Sequence, residues 1–166
     1  NGRKTEARKN GSQASVFLRK IMSNQPDKKA VKIMVFGTFD GLHKGHIDFF
    51  KQAKNLTKEC FLIVSIARDK NVFKIKGQLP VLNEKERMNL VSEFDLVDRV
   101  VLSGLKNHIP HIIKEKPKII ALGYDQNFYT KNLQKDLKEK GLIVKIIRLK
   151  PYKEKIYKNH LIKNKI

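Results

Sequence analysis

The sequence predicts an α/β protein built on an open, parallel sheet of five strands with helices on both faces. Three observations carry that expectation. From Val31 onward, short apolar runs rich in β-branched residues alternate with segments of helical period. Local stop and start signals separate these segments, among them a capping-box pair at Asn83 and Glu86 and a terminal glycine at Gly141. A loop holding three glycines, "GTFDGLHKGH", follows the first apolar run, and open parallel sheets bind ligands at the carboxyl ends of their strands.

Taken in order, "VKIMVF" (31–36) reads as the first strand and "HIDFFKQAKNL" (46–56) as the first helix. "CFLIVSIA" (60–67) is apolar throughout, as a strand buried on both faces should be. "NEKERMNLVSEF" (83–94) opens with the capping box and predicts a helix ahead of the strand "VDRVVL" (97–102). "HIIKEK" (111–116) is a helical piece halted before Pro117, and it gives way to the strand "KIIAL" (118–122). "TKNLQKDLKEKG" (130–141) ends at Gly141, before the last strand, "LIVKIIRL" (142–149). The tail "YKNHLIKNKI" has weak helical spacing. Strands separated in this way by helices imply βαβ units with right-handed crossovers.

Composition narrows the classes further. A chain of 166 residues, 40% hydrophobic and 31% charged, has room for one compact domain, placed here at 31–166, and not for a second. Residues 1–30 are polar and basic and read as a flexible extension, with "ASVFLRKIM" offering an apolar face too small for a membrane anchor. No run approaches the ~18 apolar residues of a membrane span, and "NGRKTEARKNGSQ" lacks the apolar core of a secretory signal, so a soluble cytoplasmic protein is expected. Cys60, a single cysteine, excludes an internal disulfide and a multi-cysteine zinc site and reads as a small buried hydrophobe. The net charge of +20 predicts attraction to polyanions. Its lysines run through the whole chain and alternate with apolar residues, the pattern of a solvated surface more than of a nucleic-acid face. A homodimer is compatible with a parallel-sheet enzyme of this size, although no single apolar stripe marks an interface.

The glycine loop carries the chemistry. Backbone N–H groups and the positive end of the helix dipole favour a phosphate at this position, and Gly37, Gly41 and Gly45 would let the backbone approach it. His43 and His46 lie three residues apart, so with a helix starting at 44–46 both imidazoles can face one anion, an arrangement that suits phosphoryl or nucleotidyl transfer. No G-x-x-x-x-G-K-[ST] and no G-x-G-x-x-G after the first strand occurs, which excludes a P-loop and argues against a dinucleotide redox fold. A zinc site on the pair lacks two further ligands. The bland alternative is two surface histidines on a loop. His108 and His111 share the spacing but have no glycine loop or strand end nearby, and they read as surface residues.

"GTFDGLHKGH" resembles the signature of the cytidylyltransferase-like nucleotidyltransferases, whose H-x-G-H element follows the first strand of a Rossmann-like sheet. "ARDKNVFKIKGQLP", "NEKERMNLV", "VDRVVL" and "ALGYDQNF" are similar to the corresponding parts of the archaeal-type FAD synthases, with glycerol-3-phosphate cytidylyltransferase a more distant relative. The resemblance spans residues 32–166. It implies transfer of AMP from ATP to FMN, with FAD and pyrophosphate as products and a divalent ion, Mg2+, screening the triphosphate. On the same resemblance, His43 and His46 are the catalytic pair, Thr38 and Phe39 line the nucleotide site, and Lys44 and Gly45 add backbone contacts. Asp125 would accept a hydrogen bond from ribose or base, or else cap a turn. Tyr152 would stack on the base, or else cover the sheet edge. Arg87 would reach the phosphates, or else form a salt bridge on its helix surface.

The C-terminal stretch "IYKNHLIKNKI" departs from the family pattern, with Asn159 and His160 where hydroxyl residues are expected, and the cysteines found near this end in archaeal relatives are absent. Asn159 can still cap a helix, and Lys158 or His160 can meet phosphate. Two other readings stand beside FAD synthesis: a CTP-dependent cytidylyltransferase acting on a polyol phosphate such as glycerol 3-phosphate, and an inactive basic module that holds nucleic acid.

Overall fold

A computed structural model describes residues 26, 28–127 and 132–152, so the expectations for 1–25, for "YKNHLIKNKI" and for Lys158, Asn159 and His160 lie outside the described residues. The elements run β1 (Val31–Gly37), α1 (Lys44–Lys54), β2 (Cys60–Ile66), α2 (Asp69–Lys76), α3 (Glu84–Ser92), β3 (Arg99–Leu102), α4 (Ile109–Glu115), β4 (Ile119–Leu122), α5 (Leu133–Glu139) and β5 (Lys145–Arg148). All five strands are parallel, in the order β3-β2-β1-β4-β5. β1 is central: Val31 to Gly37 pair with Cys60 to Ile66 on one side, and Ile33 to Val35 pair with Ile119 to Ala121 on the other.

Alternation along the strands divides the core into two layers. Ile33 and Val35 of β1 pack with Leu62, Val64 and Ile66 of β2 against Phe50 and Ala53 of α1 and Val91 of α3. Met34 of β1, Ile63 of β2 and Ile120 of β4 face the other way, onto Ile112 of α4 and Leu133 and Leu137 of α5. The chain therefore crosses one face of the sheet as it builds β1 to β3 and the other as it builds β4 and β5, which right-handed crossovers require. The reversal occurs at β1, and the groove beside its carboxyl end is where such sheets bind ligands.

Local chemistry fixes most of the boundaries. The capping box forms as expected, with Asn83 Oδ1 accepting from the N–H groups of Lys85 and Glu86 while Glu86 Oε2 accepts from Asn83 N–H. Gly141, at φ +82°, follows the end of α5. α1 begins at Lys44, two residues ahead of the expected start, because His43 acts as its N-cap. α2 is an addition to the expected elements. Only Val72 of its eight residues is buried while Phe73 is half exposed, so it has no apolar stripe to announce a period. Gly77, at φ +71°, closes it.

Among the described residues, no helix is long and apolar enough to cross a membrane. Cys60 is half-buried at the edge of the first core layer, where burial pushes its thiol up to about 11.

Candidate active site

A cavity of about 670 Å³ opens at the carboxyl edge of the sheet, over the ends of β1, β2 and β4. That is within the ordinary size range of a small-molecule site. The loop between β1 and α1 forms its centre. Phe39 holds φ +52° in the left-handed region, a conformation a bulky residue rarely adopts, and its ring is almost fully buried. The ring lies against Gly37: a Cβ there would sit 2.6 Å from two of its atoms. It also meets Phe50 and His46, each with ring centroids 5.2 Å apart. Gly37 is thus glycine because an aromatic ring occupies its side-chain space, and Phe39 enters the cavity wall as the buttress of His46.

His43 and His46 stack, with centroids 3.8 Å apart and planes inclined by 25°. The N–H of Gly45 donates to His43 Nδ1 at 3.1 Å, so a neutral His43 ring carries its proton on Nε2. Burial, and secondarily the neighbouring His43, lower His46 from its ordinary value to about 3; a backbone contact with Gly41 pushes weakly the other way. His46 is therefore neutral at physiological pH. The first turn of α1 contains no acidic residue and its last turn carries Lys51 and Lys54, which leaves the positive end of the helix dipole beneath the pair unopposed.

Three clamps position the loop. Both carboxylate oxygens of Asp40 accept backbone N–H groups, from Val81 at 2.8 Å and Leu82 at 2.9 Å, tying the loop to the connection between α2 and α3. Gln126 donates to Phe36 O at 2.7 Å and accepts from Gly123 N–H at 3.0 Å, which joins the end of β1 to the turn after β4. Gln52 of α1 exchanges hydrogen bonds with both backbone groups of Lys150, each at 3.0 Å, which fixes the chain just before Tyr152.

The cavity brings together Thr38, Phe39, His43, Gly45, His46, Asp125 and Tyr152. Asp125 is exposed at the rim, in the turn after β4, and Tyr152 is half-buried beyond β5. Lys44 is exposed on α1 and stands outside the wall. The Gly45 N–H is already engaged by His43, so the loop offers a ligand the outer nitrogen of an imidazole in place of that amide.

Two sequence expectations are corrected. Arg87 neither reaches into the cavity nor lies on a helix surface. It is fully buried and donates to Thr38 O at 2.6 Å, Ala67 O at 2.8 Å, Leu82 O at 3.0 Å and Asp69 Oδ1 at 2.5 Å. One guanidinium thereby holds three loops of the carboxyl edge, since its fork of donors can satisfy carbonyls that no helix or strand pairs. His108 and His111 are not surface residues. Both are half-buried, and His111 Nε2 lies 3.1 Å from Ser65 Oγ at the end of β2. The sequence places them after an irregular loop, and only the packing of α4 on the sheet brings them to a strand end.

Sheet order, loop and cavity together define a nucleotide-binding domain of Rossmann-like fold. Residues 34–165 match the cytidylyltransferase-like family model. The chain is 37% identical over 136 residues to the FAD synthase of Thermoplasma volcanium, covering 82% of this chain and 94% of that protein. It is 42% identical over 129 residues to the FAD synthase of Methanosarcina mazei, covering 78% and 83%. A solved structure from Thermoplasma volcanium, described as a lipopolysaccharide core biosynthesis protein, superposes with a TM-score of 0.67 at 38% identity, over 74% of this chain and 98% of that one. The chain belongs to the cytidylyltransferase-like family of nucleotidyltransferase enzymes.

Proposed function

We propose that this protein transfers AMP from ATP to FMN. A phosphate oxygen of FMN attacks the α-phosphorus in line, the P–O bond to the β-phosphate breaks, and pyrophosphate leaves with the bonding pair. The acceptor oxygen is already ionised, so the site has no need of a strong base. Its tasks are alignment and stabilisation of charge as it moves onto the leaving group.

The observation that carries this reading is the stacked pair His43 and His46 at the start of α1, beside the carboxyl end of the central strand. His43 Nε2–H would donate to the phosphate chain, in the orientation that the Gly45 amide fixes from behind. His46, neutral by itself, would gain basicity beside a triphosphate and strengthen its hydrogen bond as negative charge develops. Thr38 would line the phosphates, while Asp125 and Tyr152 stand on the β4 and β5 side, where ribose and base would lie. The relatives named as FAD synthases supply the support for FMN as acceptor. The family resemblance also implies Mg2+. Among the described residues no three His, Cys, Asp or Glu side chains converge to hold a metal.

The test crosses ATP and CTP against FMN and glycerol 3-phosphate, with pyrophosphate release and nucleotide product followed by chromatography. FAD formed only in the ATP and FMN mixture is the expected result. Turnover of CTP with glycerol 3-phosphate would overturn the reading in favour of a cytidylyltransferase.

A further inference from the structure

The cavity extends beyond the part that the phosphate pair and the nucleoside residues account for. Sheet order places β4 and β5 on one side of β1 and β2 and β3 on the other. Asp125 and Tyr152 stand on the first side; Ser65 at the end of β2 and His108 ahead of α4 line the cavity on the second. With His43 and His46 between the two, the half over β2 is left for the group that receives AMP.

This half has a distinctive chemistry. Ser65 is 1% exposed and is the one polar residue in β2, between Val64 and Ile66. Its Oγ is held by His111 Nε2 at 3.1 Å. Three aromatic rings meet edge to face around that bond: Phe36 to His111 at 6.0 Å and 85°, and His108 to His111 at 5.9 Å and 68°. Ile112, 1% exposed, supplies an apolar wall. Burial lowers both histidines, His111 to about 4, so neither adds charge here at neutral pH, although the His108 backbone opposes the effect at His111. Flat rings, an aliphatic wall and uncharged polar atoms suit a planar, neutral heterocycle with hydrogen-bonding edges better than they suit a phosphate.

We propose that Phe36, Ser65 and His108 form the subsite for the acceptor's ring system, a planar uncharged heteroaromatic of the isoalloxazine class, with His111 as the residue that positions Ser65. This rests on the reading of the protein as an FMN adenylyltransferase. Ser65 and His108 hydrogen-bond the polar edge of the ring, Phe36 and Ile112 cover its apolar part, and the ribityl chain leads the acceptor phosphate back to His43 and His46.

The test measures FMN affinity by quenching of flavin fluorescence without ATP, and ATP affinity by calorimetry without FMN, in the wild type and in Ser65→Ala, His108→Leu, His111→Leu and His111→Gln. Ser65→Ala and His108→Leu should each weaken FMN roughly tenfold, the loss of one hydrogen bond to the ring, and leave ATP unchanged. His111→Leu should weaken FMN as well, and His111→Gln should recover part of the loss, because a glutamine amide can still reach Ser65. FMN affinities within about twofold of the wild type in both Ser65→Ala and His108→Leu would overturn the proposal, as would parallel losses for ATP. Ser65→Ala is the smallest change and gives the readout should a leucine variant fail to fold. Failure of the functional reading looks different: the wild type itself would then bind no FMN.

Discussion

Gly37 and Phe39 show how single residues make this site rigid. The ring of Phe39 occupies the space of the side chain that Gly37 lacks, and it presses on His46. Gly37→Ala should displace that ring, lowering both the unfolding temperature and the adenylyl-transfer rate; a variant with wild-type melting and kcat would show that the contact is unimportant. Arg87 has a different kind of importance, because its removal takes the charged donor from Asp69 Oδ1 and from three carbonyls. Arg87→Ala should cost about 3–5 kcal/mol in urea unfolding, and Arg87→Lys should recover little of it, since one ammonium cannot reproduce the fork. Neither role is legible in the sequence. The arginine is recognisable as a family position, yet three of its four acceptors come from two segments distant in sequence, and nothing local distinguishes a buried fork from a surface ion pair.

At the scale of elements, legibility followed how local the determining chemistry is. Asn83 and Glu86 announce the start of α3 because the capping box closes within four residues, and the buried run from Phe61 to Ile66 announces β2 because both of its faces are covered. α2 left no such mark: its contribution is one buried valine and a pair of clamps, with Asp69 N–H donating to Glu84 Oε2 at 3.0 Å and Glu84 N–H to Asp69 Oδ2 at 3.1 Å. The loop between β1 and α1 was legible from its glycines and its paired histidines, whereas the histidines of α4 were not, since their place beside Ser65 depends on how α4 docks. The reciprocal bonds of Gln52 with Lys150 give this scale its prediction. Gln52→Leu should release the chain after β5 and raise the KM for ATP more than it lowers kcat, through loss of order at Tyr152; an unchanged KM would separate that segment from the nucleotide.

Over the whole molecule, the half-buried histidines make stability depend on pH. His46 and His111 have folded values near 3 and 4, below the ordinary 6.5, so between those values the unfolded chain binds more protons than the folded one. Their contribution is fully present above about pH 6.5 and is lost as pH falls through that window. The urea midpoint should therefore drop from neutral pH toward pH 5, and drop less in a His46→Asn, His111→Asn double variant; equal slopes would show that other groups dominate. The net charge of +20 adds a field that draws anionic substrates, so the KM for ATP should rise with ionic strength. The central claim is that the stacked pair on α1 carries the transfer. Its most direct test is single-turnover formation of FAD from ATP and FMN by the wild type and His46→Asn side by side, each checked for the same unfolding temperature. The account predicts FAD from the wild type and a rate at least ~100-fold lower in the variant; FAD formation at near-equal rates would contradict it.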